Sequence, residues 1–169
     1  MVGAPIAIDI NPVNPLPHRP YWAFDASASE AVWTTFEVPR DIASATVEIF
    51  IWSARRNNGT ANSIRWGFDA QIANRAAVGV GALIGNQTGE VTVTYPIITD
   101  TYTHPTYDSF TFTFGVNWRY TQRDSLGTIT VSAGDIVHIK IYRNGAHGDD
   151  TYPYDGALFA VDFEYTADS

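Results

Sequence analysis

The side chains best equipped for chemistry in this chain are four histidines and eighteen carboxylates, set beside ten lysines and arginines and no cysteine. The absence of Cys excludes disulfides and thiolate chemistry, and it leaves the redox compartment undetermined. His18 lies among prolines, His104 precedes Pro105, His138 falls in an alternating apolar segment and His147 in a Gly/Asp-rich stretch. No His-x-His or His-Glu-x-x-His spacing occurs, so a zinc site or a histidine-held iron site has little support. The densest run of hard oxygen ligands lies between Gly145 and Gly156, where Asp149, Asp150 and Asp155 could converge on calcium. That run lacks EF-hand spacing, and Asp and Gly are ordinary loop residues, so a purely structural loop is the competing reading. Paired carboxylates for glycoside hydrolysis depend on a separation that sequence does not give. There is no Gly-x-Ser-x-Gly elbow, Walker loop or Gly-x-Gly-x-x-Gly fingerprint. No catalytic residue, metal ligand or cofactor is assigned, and the expectation is a non-enzymatic protein.

Aromatic residues offer a second kind of chemistry, the stacking of rings on sugars. Tyr102, Tyr107, Tyr152 and Tyr154 fall in expected loops, near His104, Asp108 and Asp155. Such tyrosines suit the hydroxyls of a glycan receptor, and they equally suit a protein interface. Trp66, Trp118, Phe110, Phe112 and Phe114 sit instead on regular alternating rows, which marks them as core.

The elements that must position these residues are strands. From Phe110 to Tyr120 every even position is large and apolar or aromatic, and every odd one is Thr, Gly, Asn or Arg. That is the period of a strand with one buried and one wet face. Similar rows occur at Tyr21 to Phe24, Ala31 to Val38, Ala45 to Ala54, Ile64 to Ile72, Val91 to Tyr95, Ile136 to Tyr142 and Ala157 to Tyr165. In the last of these, Phe159, Val161, Phe163 and Tyr165 share one predicted side. Asn58-Gly59 predicts a tight hairpin turn after residue 55. Residues 123–127 predict a second turn, leading into Thr128 to Val131. Two short windows, 26–33 and 70–80, are the only helical alternatives, and the second reads as a strand end followed by a loop. Eight or nine strands with turns between them predict an all-β, antiparallel, jelly-roll-like sandwich, ahead of an immunoglobulin-like one.

Residues 1–20 differ from the sandwich domain at 21–169. They hold Pro5, Pro12, Pro15, Pro17 and Pro20, and proline lacks the donor a central strand needs. They predict an extended arm outside the sheet ladder, either a flexible leader or a docking arm whose Ile6, Ile8, Ile10 and Val13 need an apolar surface. The segment around Phe50 and Trp52 is apolar on both faces, which calls for a cover on its outer side. These six residues are the expected oligomer or docking interface.

A length of 169 residues fits one domain with a sizeable core. The net charge of −8 makes a nucleic-acid backbone a poor partner. No run approaches the ~18 apolar residues of a membrane helix. The N-terminus shows no Sec-type leader, so synthesis in the cytoplasm is expected.

The stretch from Val131 to Arg143, with its Ala133-Gly134-Asp135 step and an alternating strand ending in Tyr142-Arg143, resembles a late-strand signature of small jelly-roll modules in phage virion proteins. A polar Asp-containing loop and a final aromatic strand follow it, as in that group. Phe36-Glu37-Val38-Pro39 and Ile64-Arg65-Trp66-Gly67 are similar to it as well. The likeness spans most of residues 21–166 at the level of pattern. It implies a virion structural role such as capsid decoration, fibre or tail-associated protein. It also implies self-association, commonly as a trimer, docking on a major capsid or tail protein, and no catalytic residues. A carbohydrate-binding module is the alternative.

Overall fold

The computed structural model describes residues 2–3, 6–8, 20–28, 30–55, 62–74, 83–95 and 120–168. Among them the alternating segments all become strand, and none becomes helix. The elements are β1 (Val2–Gly3), β2 (Ile6–Ile8), β3 (Pro20–Phe24), β4 (Glu30–Glu37), β5 (Thr46–Arg55), β6 (Asn62–Ala73), β7 (Leu83–Tyr95), β8 (Tyr120–Thr130), β9 (Ile136–Arg143) and β10 (Gly156–Glu164). They form two sheets, ordered β1-β4-β9-β6-β7 and β2-β3-β10-β5-β8, that pack as a β-sandwich. All strand pairs are antiparallel except the two-residue contact of β1 with β4.

The pairing is nested. β6 pairs with β7, β5 with β8, β4 with β9 and β3 with β10. Two further ladders, β6 with β9 and β5 with β10, join these pairs into the sheets. Because β5 and β6 lie in different sheets, the predicted Asn-Gly hairpin does not form a ladder between them. Both strands instead drive an apolar row into the same core from opposite layers.

That core follows the predicted parities. Ile64, Trp66, Phe68, Ala70 and Ile72 of β6, with Val137, Ile139 and Ile141 of β9, face Val47, Ile49 and Ile51 of β5, and each is at most 1% exposed. Burying each of the aliphatic side chains stabilises the fold by roughly 1.5–3 kcal/mol. Trp66 meets Phe24 edge-on, with ring centroids 5.0 Å apart. Its indole N–H donates to the Tyr95 hydroxyl at 3.4 Å, which lies 2.6 Å from Ser53 Oγ, so the buried polar atoms satisfy one another. Full burial pushes the Tyr95 phenol well above its ordinary pKa of 10.0, keeping it neutral.

Four expectations need correction. Residues 123–127 are not a turn: β8 runs through them, and the register against β5 shifts at Ile49/Phe50, where Gly127 takes a φ of +133°. A bulge can read as a turn because both use glycine for backbone that other residues avoid. β10 carries a second shift between Leu158 and Ala160. It flips the parity, so Phe159 packs with Tyr21 outside the main core while Leu158, Val161 and Phe163 pack with it. β7 begins at Leu83, well before the expected Val91, through a wet polar half that alternation of large apolar residues does not reveal. Finally, the backbone of Val2–Gly3 and Ile6–Ile8 joins sheet edges at β4 and β3 rather than staying outside the ladder. The edge ladder tolerates Pro20, which pairs with Ile8 alone and lies beyond the β10 register. The predicted strand from Phe110 lies outside the described residues except for Tyr120, which opens β8.

Candidate functional site

The polar loop after β9 takes its shape from one buried ion pair. Arg143 is 1% exposed, and its guanidinium grips Asp150 in a fork, Nε to Oδ2 at 2.8 Å and Nη2 to Oδ1 at 2.6 Å. The remaining N–H groups donate to the carbonyls of Phe24 (3.1 Å), Tyr154 (2.7 Å) and Tyr152. Asp150 Oδ2 also accepts the backbone N–H of Arg65 at 3.1 Å. With both partners desolvated, these additional bonds are what make the pair tolerable. The calcium reading fails here, because both oxygens of Asp150 are already committed to Arg143. Asp149 turns instead toward Arg65 Nη1 (3.9 Å) and His147 Nδ1 (3.6 Å), and Asp155 is exposed. No three His, Asp or Glu residues are grouped to hold a metal ion among the described residues.

The expected ligand tyrosines separate. Tyr152 is 1% exposed and belongs to the core, so it presents no ring to a ligand. It serves as an anchor below the Arg143 fork, with the guanidinium 5.8 Å from its ring centre. Tyr154 is 54% exposed, leaning edge-on against Tyr152. Tyr102 and Tyr107 lie outside the described residues.

Of the expected interface, Phe50 and Trp52 lie on the outer face of β5, each only partly exposed. Much of their cover comes from the chain itself. Arg123 stacks over Phe50 at 3.5 Å and pairs with Asp162 (3.4 Å) and Glu164, while the Trp52 indole donates to Asp162 Oδ2 at 2.7 Å. Ile6 and Ile8 pair through backbone with Trp22 and Pro20. Ile10 and Val13 lie outside the described residues.

A more elaborate arrangement occupies the outer face of the other sheet. Its centre is Glu90 on β7, whose Oε1 accepts from the Tyr142 hydroxyl (2.8 Å) and Asn144 Nδ2 (3.0 Å), and whose Oε2 accepts from Arg65 Nε (3.1 Å). Arg65 also reaches Thr92 Oγ1 at 2.7 Å. Burial alone would raise the Glu90 carboxyl, but these hydrogen bonds outweigh it and hold the group below its ordinary value. Tyr142 is pushed up to about 12, by burial first and then by Glu90. It therefore stays a donor at neutral pH. Beside it Lys140 Nζ meets Asp69 Oδ2 at 3.0 Å, and Thr35 Oγ1 lies 2.7 Å from His138 Nδ1. His138 is exposed, as expected for a surface residue.

At the edge of this face Trp33 stands 58% exposed. The sequence holds the signal for it: Val32, Phe36 and Val38 share the inward parity of β4, which sends Trp33 outward with Thr35 and Glu37. The number of core aromatics elsewhere conceals that single out-of-phase indole. At the same side of the sandwich a cleft of about 240 Å³ opens between the layers, lined by Trp22, Val32, Ile141, Val161 and Phe163 among others.

Neither a protein-family model nor a curated protein matches this sequence. The geometry and the residues alone carry the functional reading.

Proposed function

We propose that this chain is a non-enzymatic structural module of a viral particle, such as a capsid decoration, fibre or tail-associated protein, that self-associates and docks on a capsid or tail protein. The observation that carries the reading is the nested winding, in which four antiparallel pairs fold over one another into two sheets. That order supports a jelly roll, the double Greek key found in viral capsid and lectin domains. The likeness of residues 131–143 to phage modules adds to it. Here that step forms a tight turn: Ser132 N–H donates to Asp135 Oδ2 at 2.7 Å, Gly134 adopts a φ of +78°, and its N–H ties back to Val38 O at 3.0 Å. The polar networks also favour holding over reacting. Glu90 accepts from three donors, and the Tyr142 phenol has been made harder, not easier, to ionise.

Multi-angle light scattering on the full chain tests the self-association. The expected mass is an integral multiple of 18.6 kDa, with three copies the first expectation. A clean monomer at micromolar concentration would remove self-assembly. Failure of the chain to appear in purified particles by mass spectrometry would remove the virion role.

A further inference from the structure

We propose that the outer face of the β4-β9-β6-β7 sheet is a carbohydrate-binding platform, on which a pyranose ring stacks against the Trp33 indole and its hydroxyls engage Lys140 and Asp69. This goes beyond the assembly role and does not rest on it.

The strand register sets the platform. Trp33 lies directly across from Lys140, and Lys140 directly across from Asp69. With strands about 4.8 Å apart, this row runs roughly 10 Å, the reach of one or two sugar rings. The next row holds Thr35, His138 and Gln71, all exposed. Trp33 is the most exposed large hydrophobic side chain among the described residues; it borders the cleft that Trp22 and Phe163 also line, and across the ladder it meets Lys140, which hydrogen-bonds. A lone exposed apolar residue needs no explanation by itself. What gives this one meaning is the unspent hydrogen-bonding capacity next to it.

That capacity is specific. Lys140 places one contact on Asp69 Oδ2, and an ammonium has three hydrogens. The Asp69 side chain is 31% exposed, but its Oδ1 is closed to solvent and has no hydrogen-bond partner among the described residues, which leaves Oδ2, beside the ammonium, as the oxygen a ligand can meet. Adjacent hydroxyls on a pyranose each donate and accept, which matches an ammonium and a carboxylate held together. The C–H face of the ring supplies the apolar surface for the indole.

Charge selects the sugar over other ligands. Lys140 is offset by Asp69, and Arg65 by Glu90. The face therefore offers no excess positive charge to a phosphate or nucleic-acid backbone. A protein partner would bury these ion pairs at the centre of an interface, where charged groups are depleted and desolvation is costly. A small glycan leaves the rim of each pair in water.

Saturation-transfer NMR and calorimetry with glucose, galactose, mannose and N-acetylglucosamine, and with their short oligomers, test the site on the full chain. The expected result is saturable binding of at least one sugar. Trp33→Ala should weaken it roughly tenfold or more, with partial recovery in Trp33→Phe. Asp69→Asn should weaken it too, whereas Tyr154→Ala on the separate loop should leave it unchanged. Trp33 is exposed, so Trp33→Ala should keep the wild-type circular dichroism and unfolding midpoint; Thr35→Ala provides a second surface probe. Absence of saturable binding to every sugar, or binding indifferent to Trp33→Ala, would overturn the proposal. So would a Trp33→Ala chain whose only change is a smaller oligomer, which would make the indole a subunit contact.

Discussion

Two side chains show how far a residue's chemistry depends on what surrounds it. Asp150 belongs to a loop whose acids suggest calcium, yet its oxygens hold a buried guanidinium. Asp150→Ala would leave Arg143 desolvated and uncompensated, so the expected loss is about 3–5 kcal/mol, read by urea unfolding. The sequence could not show this, because Arg143 ends a strand and looks like a solvated terminus until Phe24 and Tyr152 close over it. Glu90 gives a pH-dependent counterpart. Its carboxyl lies below the ordinary 4.5 in the fold, so the stability it contributes is present above that value and is lost as pH falls through the lowered one. Glu90→Gln should therefore be less stable than wild type at neutral pH, by about 1 kcal/mol given partial exposure. The two denaturation midpoints should converge as pH drops below 4.5. Asp124 runs in the opposite sense: burial raises it against the hydrogen bond from Gln122, so its contribution is full at low pH and lost as pH rises through the raised value.

At the scale of elements, alternation was readable wherever both layers demanded it. Val47 to Ile51, Ile64 to Ile72 and Val137 to Ile141 bury the residues their parity predicts, because each strand has one face on the core. Parity failed where the backbone inserts a residue. Phe159 and Leu158 exchanged faces across the β10 shift, and residues 123–127 continued as strand across the β8 shift. Nothing in the types of Leu158, Phe159 and Ala160 marks such an insertion; only the demand of the core for Leu158 and Val161 together explains it. The β8 bulge does carry a mark in Gly127, whose φ of +133° strains any side chain and whose Cβ position lies 3.3 Å from Phe68. Gly127→Val should lower stability by about 1–3 kcal/mol without changing the sheet signal in circular dichroism. A loss within error would mean that the bulge relaxes at no cost. The candidate sugar face was half legible: the outward phase of Trp33 is present in the sequence, but its row with Lys140 and Asp69 needs the register of three strands.

For the whole molecule, the net charge of −8 bears on the expected assembly. Like-charged copies repel over about 10 Å at 0.1 M salt, so the oligomer should gain mass in light scattering as ionic strength rises. Ion pairing between copies would produce the opposite trend. The nested pairing has a further consequence, in the order of events by which the chain becomes a protein. β6 and β7 are the one nested pair of successive strands; each outer pair must close a longer loop than the pair inside it. Folding is thus best begun in the middle and finished at the ends, and such non-local closure is slow. During synthesis β3 emerges early and can meet β2, but it must wait for β10 before the strand that joins it to the rest of its sheet exists. Until then Trp22 and Phe24 have no completed layer to enter, and the nascent chain carries its own aggregation hazard until β10 has been made.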